Sequence, residues 1–379
     1  MSDRIHRLRW GAATAGVLSA AVLFAGCADP DADKQQTSLD PKGPSAQKIL
    51  DLFTPWFYVA TIIGIGVVAA TIFVALRFRE KPGEERNPKQ THGNSALEIG
   101  WTIVPALILA AMAIPTVATI FDLNEEPDAS ENPILINVTA KQWFWEFEYQ
   151  DEAFITANEM HIPVDTPIEL RIGSPVDGVI HSFWVPNLNG KKDAVPGRDH
   201  FWTIEADEEG TYLGQCAEYC GLSHADMRFR VIAQSEDEYR DWVARQQEEM
   251  NAEQTDFINS TLSEKFGCTS CHAFSGVSEA AIGPNLSHVG DRTTFAAGVY
   301  ETNADNLADW VHNAPSMKPM GDYANRMPNF SDLNEYTGRY AKEPMTTDDA
   351  KEIADFLCST ATTDENEKHC LTTEGTGER

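Results

Sequence analysis

Apolar positions fall into three successive patterns along the chain. Arg4, Arg7 and Arg9 precede a short apolar run over residues 11–26 that stops at Cys27. A basic start, a brief apolar middle and small residues at the end predict a secretory signal peptide over 1–26. Two longer runs follow, residues 53–76 and 99–121, neither containing a charged side chain, with Glu98 at the edge of the second. At ~1.5 Å per residue, runs of this length match the ~30 Å hydrocarbon layer of a bilayer. Pro105 and Pro115 lie inside the second run, which membrane helices tolerate. The connector carries Arg77, Arg79, Lys81, Arg86 and Lys89, whereas Asp122, Glu125, Glu126 and Asp128 follow the second run. This asymmetry predicts a transmembrane hairpin over 51–121, connector inside, both ends outside. Residues 27–50 then form an external segment.

From residue 132 to about 234 the pattern changes to short β-rich or alternating stretches, such as 134–139 and 168–172, broken by Gly, Pro, Asn and Asp. That predicts an all-β sandwich or barrel within 122–234. Alternation in Trp143-Phe144-Trp145-Glu146-Phe147-Glu148-Tyr149 puts Trp143, Trp145, Phe147 and Tyr149 on one face. This face is either core or an aromatic patch that accepts electrons. Residues 235–256 read as a charged helical linker with Tyr239, Trp242 and Val243 on one side. Helical spacing returns at Phe257, Leu262 and Phe266, at 305–311 and at 348–357, so 257–360 is expected to be all-α. Residues 361–379 read as a polar, mobile tail.

Composition narrows the function classes. The 379 residues hold 29 Lys+Arg against 58 Asp+Glu, a net charge of −29. Such acidity argues against nucleic-acid binding and favours cationic partners. Seven cysteines are too few for a disulfide scaffold, so their clustering matters more than their number. Cys358 and Cys370 stand twelve apart in an exported region and are expected to pair.

Two clusters carry chemistry. Cys216, Cys220, His224 and Met227 fall within twelve residues, and His181 lies 35 residues before Cys216. Thiolate, imidazole and thioether together select copper; zinc rarely uses Met. Two cysteines, each able to bridge, suggest two coppers. Such a site, saturated by protein ligands, has no open position for a reactant and suits electron transfer. The second cluster, Cys268-Thr269-Ser270-Cys271-His272, is the attachment signature of a c-type haem. Gly283-Pro284-Asn285-Leu286 and Arg326-Met327-Pro328-Asn329-Phe330 follow. They resemble the class I cytochrome c segments around the proximal histidine and the distal ligand. Met327 is the expected sixth ligand, Met320 the runner-up and Met317 also in range. His/Met ligation would raise the haem potential. His288 and His312 read as surface or structural.

Leu97-Glu98-Ile99-Gly100-Trp101-Thr102-Ile103-Val104-Pro105 and the Cys-x3-Cys-x3-His-x2-Met spacing resemble subunit II of haem-copper cytochrome c oxidases, in the form with a fused cytochrome c domain. The resemblance implies a two-helix hairpin, a cupredoxin-like domain and an all-α class I cytochrome c domain. It implies a dinuclear CuA centre bridged by Cys216 and Cys220 and capped by His181 and His224. Met227 and the Glu218 carbonyl would be weak ligands, and the Glu218 carboxylate would share a magnesium ion with subunit I. It marks Trp143 as the residue that accepts electrons from cytochrome c and Glu98 as a carboxylate near a proton-uptake path. The family often has Asp three residues before the upstream histidine; here that residue is Gly178. Cys27 after Phe24-Ala25-Gly26 resembles a lipoprotein cleavage box, implying acylation.

The function so implied is electron delivery from haem c through CuA to subunit I of a proton-pumping oxidase in the bacterial plasma membrane. Expected partners are subunits I and III, membrane lipid, and an upstream cytochrome c or bc complex. A fused donor acts as a tether, and the external donor is expected to bypass Trp143. Two alternatives stay open: the CuA subunit of a nitric oxide reductase, and a membrane-anchored shuttle or copper protein.

Overall fold

A computed structural model of the chain describes residues 36–79, 83, 90, 92–321 and 326–372. The expected signal peptide, Cys27, connector residues Lys81, Arg86 and Lys89, and the last residues of the tail lie outside the described residues.

Two long helices come first, α1 (Pro44–Arg77) and α2 (Ser95–Leu123). Pro44 occupies the first turn of α1, where its missing N–H costs nothing. Arg77 sits in its last turn, favourable to the helix dipole. The Asn94 side chain caps α2, accepting from the Ala96 and Leu97 amides at 3.1 and 3.3 Å. Both helices are apolar around their circumference and long enough to cross a membrane. With 34 residues, α1 is ~51 Å long, more than the hydrocarbon layer needs. Its extra N-terminal turns belong to the external body. Ala46 is buried there, and its amide donates to Leu188 O at 3.1 Å. Helix α1 therefore starts ahead of residue 51, on the external side of the apolar run.

Ten strands build the β domain: β1 (Ile134–Lys141), β2 (Phe144–Tyr149), β3 (Phe154–Ala157), β4 (Glu159–Pro163), β5 (Ile168–Gly173), β6 (His181–Trp184), β7 (Lys192–Ala194), β8 (His200–Ile204), β9 (Gly210–Cys216) and β10 (Arg228–Gln234). They form two five-stranded sheets, in the orders β3-β2-β1-β5-β8 and β4-β10-β9-β6-β7. The β1–β5 and β10–β4 pairs are parallel and the rest antiparallel. The result is the expected cupredoxin-like sandwich. Trp145, Phe147 and Tyr149 are fully buried on the inner face of β2. Trp145 packs on Phe183 and Phe229 with ring centroids 5.6 and 5.2 Å away. Each such side chain stabilises by roughly 1.5–3 kcal/mol through burial. The aromatic face is therefore core.

Helix α3 (Glu236–Gln246) opens with a capping box between Ser235 and Glu238. It lays Tyr239 and Trp242 into the sandwich, where Trp242 stacks on His161 at 4.2 Å. A helical unit follows: α4 (Ala252–Phe257), a wider π-helical stretch (Ile258–Lys265), α5 (Ala304–Met317), α6 (Thr347–Cys358) and α7 (Asp364–Thr372). Helix α5 bends at Asn313 (φ −153°, ψ 67°), two residues before Pro315, because proline lacks the donor and crowds the preceding turn. Cys358 and Cys370 are bonded, as expected. That bond anchors α7, so residues 364–372 are helix and not the mobile tail read from their polarity.

The helical unit is seated on the sandwich. Glu159, nearly fully buried, accepts from the Thr293 and Thr294 amides at 3.1 and 2.9 Å. The Arg228 amide donates to Ala297 O at 3.0 Å, and Lys141 Nζ donates to Ala281 O at 2.8 Å. The Glu159–Thr294 bond among these is buried, and together the contacts hold the helical unit against the sandwich.

Candidate metal centres

The first site lies where β9 ends and β10 begins. The Cys216 amide donates to Met227 O and the Ala217 amide to Ser182 O, both at 2.9 Å. The first bond closes the loop 217–226, and the second lays it against β6, whose first residue is His181. Sheet hydrogen bonding thus gathers six donor atoms from the two strands and the loop. Cys216 Sγ lies 3.7 Å from Cys220 Sγ, 3.8 Å from His181 Nδ1 and 3.2 Å from Glu218 O. Cys220 Sγ lies 3.6 Å from His224 Nδ1 and 3.9 Å from Met227 Sδ. All the ligand residues expected for copper converge here.

Geometry and charge fit metal binding. The sulfurs are too far apart for a disulfide, whose bond is about 2.05 Å, and both cysteines are free and buried. The two thiols compete for one proton. A hydrogen bond from Cys220, then one from His181, holds Cys216 well below the thiol range, while the Cys216 partner and burial push Cys220 up. This titration belongs to the pair. A cation shared between the sulfurs would relieve that competition, since thiolates are the ligating form. His181 is fully buried, and its Nε2 has no hydrogen-bond partner among the described residues. At Gly178, a Cβ would approach Ser174 Oγ to 2.7 Å. The family's aspartate therefore has no room in this turn. Glu218 and Tyr219 are exposed beside the site, and Glu98 is exposed in the first turn of α2.

The second site is a cavity of about 560 Å³ walled by both units. Cys268, Cys271, His272, Met320, Met327 and Trp143 all line it, and Met317 is not among the lining residues described. Its volume lies within the range of ligand pockets. His272 Nδ1 donates to Pro284 O at 2.8 Å; a carbonyl only accepts, so Nε2 keeps its lone pair for a metal. Gly283 lies against that imidazole, where a Cβ would come within 2.6 Å of Cε1. Burial pushes the Cys268 thiol up to about 12, raises Cys271 and lowers His272. The residues expected for covalent haem thus share one hollow. Both Met327 and Met320 reach it, leaving the choice of sixth ligand between them.

Trp143 falls on the core side of the two alternatives open for its face. It is buried between the two sites, where the C-terminal unit covers it. Its Nε1 donates to Cys220 O at 3.0 Å, as does Gln142 Nε2 at 2.8 Å. It is therefore shielded from direct docking by an external donor. Lys318, which no sequence signal singled out, is nearly fully buried beside it; burial lowers its ammonium to about 7. His288 is buried, in keeping with a structural role.

Comparison with known proteins agrees with this geometry. A model described as cytochrome c oxidase subunit II, periplasmic domain, matches residues 153–234, and one described as the transmembrane domain matches 33–119. Cytochrome c oxidase subunit 2 of Alkalihalophilus pseudofirmus is 38% identical over 309 residues, 80% of this chain and 88% of that protein. The same subunit of Bacillus subtilis is 32% identical over 330 residues, covering 82% and 91%. Quinol oxidase subunit 2 of Bacillus spizizenii is 36% identical over 239 residues, covering 62% and 71%.

Proposed function

The chain belongs to the cytochrome c oxidase subunit II family, as a membrane-anchored subunit of the oxidase complex with a periplasmic domain, and from that premise we propose that its external body is a two-station electron relay. The observation that carries this reading is Trp143, which lines the cavity and hydrogen-bonds the Cys220 carbonyl. One residue thereby links both donor sets.

In this reading Cys216, Cys220, His181 and His224 would hold a CuA pair. Met227 and the Glu218 carbonyl are the weak ligands. Cys268 and Cys271 would attach a haem c, with His272 and Met327 as the side chains that would hold its iron. When bound, these groups supply one-electron carriers. The surrounding chain does the rest. Pro284 orients the His272 imidazole, the sheet holds the copper ligands in place, and Trp143 bridges the gap. The exposed Glu218 carboxylate is free to share a magnesium ion with subunit I. Glu98, at a membrane boundary, is the candidate for proton uptake. The electron source is an upstream cytochrome c or bc complex, the recipient subunit I, and subunit III completes the pumping assembly in a bacterial plasma membrane.

The quinol oxidase relatives raise quinol as an alternative donor. The haem-attachment residues placed against Trp143 favour a cytochrome pathway. The deciding experiment is a spectrum with metal analysis of the purified complex. It should contain one c-type haem and two coppers per chain, a-type haem in the partner and the near-infrared band of a copper pair. Zinc, or a single copper, at Cys216 and Cys220 would refute the reading.

A further inference from the structure

Resting on the two-station reading, we propose that Lys318 is a positioning residue for electron passage between the stations: its ammonium fastens the helical unit to the backbone of Trp143 and so holds that indole between the cavity and Cys220.

Lys318 Nζ donates to Trp143 O at 3.0 Å and to Ala296 O at 2.9 Å. It therefore joins a carbonyl of the sandwich to a carbonyl of its own unit. Trp143 is gripped at both ends, its backbone by Lys318 and its indole by the Cys220 carbonyl. Two ties flank the clamp, and both begin in or next to the copper loop. Ser223, beside His224, donates to Pro319 O. Arg228, next to Met227, donates through its amide to Ala297 O. The loop carrying the copper ligands and the segment carrying Lys318 are thus held in one register.

Burying an ammonium is costly unless its donors are satisfied, and a solvent-exposed ion pair would serve if a loose association sufficed. The buried placement fits a fixed approach. Electron passage weakens steeply with separation, so a contact held by buried bonds protects its rate. Glu159, with the Thr293 and Thr294 bonds, provides a second anchor away from Trp143. A contact fixed by buried bonds is also insensitive to salt, unlike an encounter between exposed charges.

The test uses the full chain in its intact complex, with flash reduction of the haem and separate optical recording of haem and copper. In the unaltered protein the haem-to-copper rate should stay constant, within roughly twofold, from low to high salt. A steep salt dependence would overturn the proposal. In K318M this step should slow by roughly tenfold or more, while reduction of the haem by a small external donor is unchanged. K318Q keeps two N–H donors and should recover most of the rate. A normal rate in K318M, or a K318Q as slow as K318M with both bands intact, overturns the assignment. Hydrogen exchange in the intact complex gives an independent readout: residues 293–300 should exchange faster in K318M and near normally in K318Q. Should K318M fail to fold, the salt profile and K318Q decide. Absence of the haem or copper band in the unaltered protein would instead defeat the two-station reading itself.

Discussion

The two metal-competent regions are built in opposite ways. At the copper loop, backbone bonds of a sheet bring sulfur and nitrogen donors to within 4 Å of one another. In the helical unit the Cys268–His272 segment borders a hollow of about 560 Å³. One site is a rack made by the fold, and the other is a wall shaped around what it holds. The difference teaches where the protein's stability resides. The sandwich has its own aromatic core, and its site is an edge feature. The helical unit has a smaller core, and its site occupies the middle.

The widest separation is expected from C268A/C271A. A cavity term of ~24 cal/mol per Å³ over that hollow is at most on the order of 10 kcal/mol, comparable to the whole stability of a domain. Covalent haem should vanish from the spectrum, and the helical unit should melt early in calorimetry with the sandwich transition unmoved. A helical unit of unchanged melting temperature would break the comparison. C216S should abolish the near-infrared band and reduce electron delivery to oxygen by ~10²-fold or more. In the metal-free chain it should cost the sandwich less than about 1 kcal/mol, because the rack is made of backbone bonds. Loss of the sandwich transition would show that the ligands, not the sheet, hold that site together.

Smaller effects sharpen the contrast. Removing the Cys358–Cys370 bond should cost about 2–3 kcal/mol in the helical unit alone, seen as a shift of one melting transition. G214A puts a Cβ within 2.3 Å of the buried Phe229 ring and should cost about 1–3 kcal/mol in the sandwich alone. The least effect concerns acid. The Lys265 ammonium lowers the Asp349 carboxyl to about 2, below its ordinary 3.8. The stabilisation is therefore present above about pH 4 and disappears as pH falls toward about 2. The pair is partly exposed, so it is worth less than ~1 kcal/mol. D349N should remove that acid-side step from the helical unit's stability profile.

What was legible in the sequence followed how local each signal is. The two spans needed only uncharged runs, and their ends carried the Asn94 cap and the basic Arg77. The sulfur and imidazole donors after Cys216 lie close together in sequence, and Cys268, Cys271 and His272 lie in one pentapeptide, so spacing alone grouped them. His181 was legible only through family resemblance; the β6–β9 pairing brings it to the loop. The early start of α1 was not legible, because Ala46 is held by Leu188 across the fold. The α7 helix was hidden by its polarity, since a disulfide anchors it.

The sequence by itself determined the membrane hairpin, the strand-rich middle, the donor set of Cys216, Cys220, His224 and Met227, and the grouping of Cys268, Cys271 and His272. Each depends on residue types at short spacing. Only the tertiary structure decided that Trp143 is enclosed, that Met320 and Met327 share a cavity with His272, and that Lys318 joins the two units. Those facts depend on how two separately patterned units pack. Packing is set by shape and buried hydrogen bonds between residues far apart in the chain, which leave no periodic trace along it.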